Sequence, residues 1–228
     1  MTTPTTAPAP ATNPLLDFQG LPRFDAVEPS HVEPALDTLL AAAEQALETV
    51  TAAGFPAEWR AMASTLDVAT ERLGWAWGTV THLNAVADTP ELRAAYNAAL
   101  PRVTAFWTAL GADERLYAKY KAMDPSTLTA EQSRAHHNAM RGFVLGGAEL
   151  QGAAKDRFAA IQERQAELAQ RFSENALDAT DKWSYLASAT EMAGVPADVL
   201  AATASAAQAD GLEGHKLGLK LPCYLPIM

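Results

Sequence analysis

The stretch 156–181 is the sequence feature that most constrains the fold, because it predicts one long helix without a break. It contains no Pro or Gly, and apolar side chains recur along it every three or four residues. At a rise of about 1.5 Å per residue it would extend roughly 38 Å, which is longer than a small domain needs. We therefore expect a core-facing helix around which the rest of the chain is arranged. Its apolar stripe consists of Phe158, Ile161, Leu168 and Phe172.

Five further helical segments precede this long helix. Their apolar residues keep the same spacing, and Gly, Pro or Asp-Pro breaks separate them. Thr89 followed by Pro90 is typical of a helix start, and Thr129 with Gln132 matches a capping box. The predicted segments lie at about 32–50, 56–83, 90–110, 116–120 and 129–145.

The pattern changes after Asp181, where two short alternating runs at 183–187 and 215–221 are typical of strands. An Ala-rich helix is predicted between them at 196–209. The predicted fold is therefore mainly α, a helical lobe of long packed helices with a small β element after residue 181. We expect a disordered N-terminal arm at 1–12, the helical lobe at 13–181, and the start of a small mixed α/β segment at 182–228 that is truncated at its apolar end.

Charge and cysteine content exclude several classes of function. The net charge is −10 and no run of Lys or Arg occurs, so we expect neither a nucleic-acid nor a membrane partner. The single cysteine excludes a disulfide framework and a multi-cysteine metal site. Because the first residues carry no basic stretch followed by an apolar one, they do not predict a secretory signal, and we expect a cytoplasmic protein.

Two candidates for a binding role lie on the second predicted helix. Trp75 and Trp77, each next to a glycine, form either an aromatic platform for peptide side chains or part of the core, and the heptad spacing favours the core. His82 is either a ligand or proton shuttle, or a structural histidine hydrogen-bonded near Asn84 and Asp88, which is the favoured interpretation.

The remaining polar candidates favour structural roles. Asp178 and Asp181 are a possible pair for acid/base work, but at a helix end they are more typical of loop caps. Gly146 and Gly147 indicate a helix terminator rather than a phosphate loop, because no Gly-Lys-Ser/Thr follows. Cys223 has no histidine partner at an informative distance, so a buried thiol is expected.

Several short stretches together resemble the N-terminal part of the thimet oligopeptidase family of zinc metallopeptidases. No single stretch is specific, but their order and spacing are. The resemblance implies a much longer, mainly helical and monomeric parent, whose two lobes flank a deep channel that admits short peptides and excludes folded proteins. The stretches are NPLL at 13–16 with LPRF at 21–24, HLN at 82–84 with PELR at 90–93, LAQRFSENALDAT at 168–180, and LKLPCYLPIM at 219–228.

The chemistry of that family belongs to an HExxH helix and a downstream glutamate, which hold a zinc ion and activate its water. No HExxH occurs here, and no two histidines have that spacing with an intervening Glu. No catalytic, cofactor-binding or metal residue is therefore carried onto this chain. The five histidines are His31, His82, His136, His137 and His215.

Two classes of function remain open from the sequence. The favoured one is the N-terminal, channel-forming part of a cytoplasmic zinc metallo-oligopeptidase that hydrolyses short peptides, with zinc in the parent and none bound by this chain. Its partners would be short peptides and the missing C-terminal catalytic part, and the chain alone would be inactive and weakly self-associating. The alternative is a stand-alone helical binding or scaffold module without catalytic activity.

Overall fold

The structure is a computed structural model that describes residues 13–228. These residues cluster into two compact units, 13–166 and 167–228, and the division falls within one long helix. The architecture is mainly helical with one two-stranded sheet, which confirms the predicted fold class. The predicted N-terminal arm at 1–12 lies outside the described residues.

Helices joined by short turns build the first unit. Short 3-10 turns occupy Pro14–Leu16, Phe24–Ala26, Pro29–His31 and Pro125–Thr127. The helices are α1 Val32–Thr51, α2 Trp59–Met62, α3 Val68–Val86, α4 Pro90–Gly111, α5 Glu114–Lys121, α6 Ala130–Leu145 and the beginning of α7 Ala153–Lys182. A π-helical stretch, Ala63–Asp67, joins α2 to α3, so the helix predicted at 56–83 contains one wide turn that the sequence did not predict.

Helix α1 is the centre of the first unit, because its buried residues contribute to both apolar cores. Its first half, with Leu36 and Leu39, packs with α3 and α4, where Leu73 and Val103 are buried. Its second half, with Val50, packs with α5 and belongs to a second core that also contains Phe143 of α6. Apolar spacing on α1 and α3 predicted these buried faces, and the structure confirms them.

Local signals place the helix ends where the sequence predicted them. The Thr89 side chain caps α4 by accepting a hydrogen bond from the Leu92 N–H at 3.2 Å. Thr129 and Gln132 form the predicted capping box at the start of α6. Helix α6 ends at Leu145, and Gly147 then takes a φ of 91°, a conformation that side chains rarely adopt. The glycine pair is thus a helix terminator, as expected.

The long helix α7 forms as predicted, but its predicted role as the core-facing centre of the chain is wrong. None of its residues is buried. On the predicted apolar stripe Ile161 and Leu168 are each 47% exposed, and Phe172 is 74% exposed. Periodicity correctly identified residues that share one face of a helix, but it does not supply a neighbour to cover that face.

The second unit contains the end of α7, a small sheet and two helices. Strand β1, Tyr185–Ala187, pairs antiparallel with β2, His215–Leu217, so that Leu186 lies opposite Lys216. Helix α8, Ala197–Ala209, lies between them in the chain and packs against β2 through buried Val199 and Thr203. The strand predicted at 215–221 is too long. Strand β2 ends at Leu217, and α9, Leu221–Ile227, has Pro222 in its first turn.

Candidate functional site

The first unit contains an open groove of about 950 Å³ between α4 and the start of α7. We call it the α4–α7 groove. A volume of this size is in the range of sites that bind small ligands. Its lining residues are Pro101, Arg102, Thr104, Ala105, Thr108, Ala109, Ala112, Asp113, Glu114 and Arg115 on one side, and Lys155, Asp156, Phe158, Ala159, Ala160 and Glu163 on the other.

Small side chains make the floor of the groove because α4 turns its large residues inward. Tyr96, Val103 and Phe106 are buried in the core on the opposite face of the helix. The outward face presents Ala105 and Ala109, which are exposed, and the half-buried ring of Phe158 lies across from them. The groove is therefore lined mainly by methyl and methylene groups and one aromatic ring.

Arg115 is fixed at one end of the groove by two carboxylates. Its guanidinium donates to both carboxylate oxygens of Glu48 on α1, at 2.9 and 2.7 Å, and to Asp113 at 2.8 Å. The hydrogen bond from Arg115 lowers the pKa of Glu48, and the same contacts raise the pKa of Arg115. Burial alone would raise the pKa of Asp113, but hydrogen bonds from Arg115 and from the Leu116 N–H keep that pKa lowered.

The other two cations of the groove are also paired. The Lys155 ammonium lies 2.8 Å from a Glu114 carboxylate oxygen, and the Arg102 guanidinium donates to Asp37 at 2.6 Å. These contacts are exposed, so each contributes little stability. These ion pairs matter for the charge of the groove, because each positive side chain of the lining is neutralised by a carboxylate of the same chain.

Asp156 and Glu163 differ from the other charged lining residues. Both are exposed, and neither side chain has a hydrogen bond or ion pair within residues 13–228. They lie seven residues apart on α7, so they share one face with a separation of about 10 Å along the helix. The wall of the groove formed by α7 thus carries two uncompensated negative charges.

The two tryptophans have different environments. Trp77 stacks on Tyr96 with ring centroids 4.7 Å apart and packs against the main core, as the favoured interpretation predicted. Trp75 is half-buried and meets Phe18 edge-to-face at 5.5 Å, with Arg72 5.3 Å from the centre of the Phe18 ring. Trp75 and Phe18 line a shallow groove of about 400 Å³ on the outer face of α3.

His82 does not have the predicted structural role. It is exposed and lies 5.3 Å from the Phe24 ring, and no hydrogen bond to it occurs within the described part of the chain. Asp88, one of its predicted partners, instead accepts a hydrogen bond from Arg93 at 3.3 Å. Asp88 lies beyond Val86, the last residue of α3, and closeness in sequence to His82 did not predict its pairing with Arg93.

Three of the other histidines make separate structural contacts, and His137 is exposed. His31 Nδ1 accepts the Glu28 N–H at 3.0 Å, and His136 Nε2 lies 2.8 Å from the Tyr120 carbonyl oxygen. His215 Nδ1 lies 3.0 Å from the Thr203 hydroxyl in the second unit. Among residues 13–228 no three or more His, Cys, Asp or Glu side chains come together in a way that could hold a metal ion. The described residues therefore do not fit a zinc centre.

The remaining polar candidates of the second unit are separated. Asp178 pairs with Lys182 at 3.2 Å, and Asp181 pairs with Lys220 at 3.0 Å, so the two aspartates do not form an acid/base pair. Cys223 is half-buried, and its sulfur accepts the Gly218 N–H at 3.4 Å. Cys223 lines a cavity of about 610 Å³ with residues of α8 and β2.

Comparison with known proteins identifies the class to which this fold belongs. Residues 36–155, more than half of the chain, match the N-terminal domain of the neurolysin and thimet oligopeptidase family. The chain belongs to this family, and the resemblance inferred from its short motifs is confirmed.

Relatives named as oligopeptidases match almost the whole chain. Oligopeptidase A of Salmonella typhimurium is 39% identical over 222 residues, which cover 95% of this chain and 33% of that protein. Oligopeptidase A of Escherichia coli is 38% identical with the same coverage. The probable cytosolic oligopeptidase A of Arabidopsis thaliana is 34% identical over 96% of this chain and 33% of its own length. The chain thus spans about a third of the length of these relatives. It corresponds to the N-terminal part of a protein of this peptidase family.

Proposed function

We propose that this chain is the N-terminal, channel-forming part of a cytoplasmic zinc metallo-oligopeptidase that hydrolyses short peptides. The observation that carries the proposal is the match to oligopeptidase A over nearly the whole chain. Helix α1 contributes buried residues to both apolar cores, and closely packed cores are rigid. A helical unit of this kind is suited to form the wall of a channel. The contribution of the chain is then to bind peptides and to limit their size.

The zinc ion of the proposed enzyme belongs to residues outside this chain. Its chemistry there is to activate a water molecule for attack on the peptide bond. No HExxH is present in the sequence, so no step of hydrolysis is assigned to the residues of this chain. We expect the purified chain to hold no stoichiometric zinc after dialysis and to cleave no short peptide by itself.

The exposed apolar residues of α7 support a partner for the second unit. Leu168 is 47% exposed and Phe172 is 74% exposed in the stretch that carries the family resemblance. The oligopeptidase relatives are about three times as long as the chain, so a parent of that length would have further residues available to cover this surface. We propose that the catalytic part of the parent covers these side chains, and that the chain alone associates weakly with itself through them.

Reconstitution of activity tests the proposal. The chain is mixed with a separately produced remainder of Escherichia coli oligopeptidase A that lacks the matching third. Chelator-sensitive hydrolysis of a quenched fluorescent peptide is then measured. We expect little hydrolysis by either part and clear hydrolysis by the mixture, since binding favours the assembled form by mass action.

Two neighbouring substitutions on α7 provide a matched control. Phe172→Glu places a charge on the exposed apolar face and should prevent reconstitution, whereas Ser173→Glu places the same charge about 100° around the helix and should permit it. A wild-type chain that neither binds the remainder nor raises its activity would instead support the stand-alone scaffold module.

The cytoplasmic part of the proposal rests on the single cysteine of the sequence, which is typical of a reducing compartment. Among residues 13–228 no helix is both long and apolar enough to cross a membrane. One Arabidopsis thaliana relative is named as probably cytosolic and another as chloroplastic or mitochondrial, so relatives of this kind occupy more than one compartment. Fractionation of the source cells with an antibody to the chain would test the cytoplasmic assignment.

A further inference from the structure

The α4–α7 groove combines an apolar floor with two uncompensated carboxylates, and this combination selects the chemistry of a ligand. Exposed Ala105 and Ala109 leave room for a chain to approach α4 closely, and Phe158 offers a flat apolar contact. A volume of about 950 Å³ exceeds what a single small side chain fills. The open groove is therefore large enough to hold a short extended segment of polypeptide, whereas a single ion would leave most of it empty.

The charges of the groove select the sign of the ligand. Arg115 is held by Glu48 and Asp113, and the other cations of the lining are paired as well. After this pairing the carboxylates of Asp156 and Glu163 remain on the α7 wall. The chain as a whole carries a net charge of −10, so an anionic ligand is repelled both locally and at longer range.

The spacing of the two carboxylates excludes a shared metal ion and suits a peptide. They are about 10 Å apart along α7, whereas calcium ligands lie about 2.3–2.6 Å from the ion. In an extended peptide, side chains two and four residues apart point to the same side, at about 7 and 13 Å. Two long basic side chains at that spacing reach both carboxylates while an apolar side chain between them meets the floor.

We propose that the α4–α7 groove binds short peptides in which basic residues flank an apolar one, with Asp156 and Glu163 as the positions that select the basic side chains. This inference rests on the proposed function, because it takes from it that the ligand is a short peptide. It adds a preference for cationic peptides and places that preference on named residues.

Titration of the 228-residue chain with three matched peptides tests the inference. The acetylated and amidated peptides ARALARA, AQALAQA and AEALAEA differ only at two positions, which carry a positive, a neutral or a negative side chain. Binding is followed by chemical shifts of the backbone amides of Ala105, Ala109 and Phe158 in two-dimensional NMR. We expect the arginine peptide to shift these signals most, the glutamine peptide less, and the glutamate peptide least.

Three variants separate the groove from general attraction to an acidic protein. The double variant Asp156→Asn with Glu163→Gln should weaken binding of the arginine peptide roughly three- to tenfold at low salt, as expected for two exposed ion pairs. Glu44→Gln removes one charge from the exposed face of α1, away from the groove, and should change binding less than twofold. Ala109→Leu keeps every charge and fills the floor, so it should abolish the shifts.

Any of three results would overturn the inference. These are equal binding of the arginine and glutamate peptides, binding that the double variant and Glu44→Gln weaken equally, and shifts that lie outside the groove or are absent. The proposed function is tested independently by reconstitution of hydrolysis. A chain that reconstitutes activity but binds no arginine peptide in the groove would refute only the inference about the groove.

Discussion

A pair of identical substitutions tests where the core of this chain lies. Leu36 on α1 is 1% exposed and belongs to the main core, whereas Leu168 on α7 is 47% exposed. Each Leu→Ala change removes the equivalent of three methylene groups. The chemistry is thus the same at both positions, and only the surroundings differ.

The expected costs follow from burial. At Leu36 the lost transfer free energy is about 2.4 kcal/mol, at roughly 0.8 kcal/mol per group, and the cavity left in a packed core raises the total to about 3–5 kcal/mol. At Leu168 about half of the side chain is already in water and no enclosed cavity forms. Because Ala also has the higher helix propensity, we expect the free energy of unfolding to fall by less than about 1 kcal/mol.

Urea unfolding followed by circular dichroism measures both costs. Because Leu36 and Leu168 belong to different compact units, a buried residue of the second unit is needed as a control. Val199 on α8 is 8% exposed, so Val199→Ala should lower the stability of the second unit by about 1–2 kcal/mol. This control shows that the second unit is folded and that the assay detects a buried change there. A Leu168→Ala cost equal to that of Leu36→Ala would refute the reasoning and restore α7 as a core-facing helix.

Two further predictions concern the first unit. Gly146→Ala should lower the melting temperature, because its Cβ would lie 2.7 Å from the Gly111 carbonyl oxygen, while Gly142→Ala, with open space around its Cβ, should stabilise α6 by up to about 1 kcal/mol. Thermal unfolding of both variants beside the wild type checks the opposite signs. The lowered pKa of Glu48 means that the ion pair with Arg115 stabilises the fold above about pH 4.5, the usual value, and that this contribution is lost as the pH falls through the lowered pKa. Arg115→Gln should therefore be less stable than the wild type at pH 7, and the difference should narrow at pH 3; an unchanged difference in urea midpoint between the two pH values would contradict it.

Features that depend on a few neighbouring residues could be predicted from the sequence. Thr89 before Pro90 marks the start of α4, and Thr129 with Gln132 marks the start of α6, because a cap satisfies backbone N–H groups within its own turn. Gly147 ends α6 for a reason equally local, its positive φ. Apolar spacing on α1 and α3 gave their buried faces, since both helices do meet neighbours.

Features that depend on contacts between distant residues could not be predicted. Arg115 and Glu48 are 67 residues apart in sequence, and nothing in either neighbourhood indicates the pair. The approach of Gly146 to Gly111 likewise joins the ends of α6 and α4. The α4–α7 groove left no recognisable signal, because exposed alanines on a helix indicate only good helix propensity. A sequence signal for Asp156 and Glu163 exists in their seven-residue spacing, but it gains meaning only beside the apolar floor.

The exposed face of α7 has a physical meaning that the periodicity alone could not supply. An apolar stripe with 3.6-residue spacing has two explanations, a core within the same chain or a surface covered by another body. The first explanation does not hold for the described residues. Neither apolar core contains a buried residue of α7, and no residue of α7 is buried. Leu168 and Phe172 are exposed and lie in the stretch that carries the family resemblance. The relatives that share this stretch are about three times as long as this chain. The same pattern that gave a wrong position for the core therefore supports the proposed catalytic partner, and the contrast between Phe172→Glu and Ser173→Glu in reconstitution decides between that partner and an exposed face with no function.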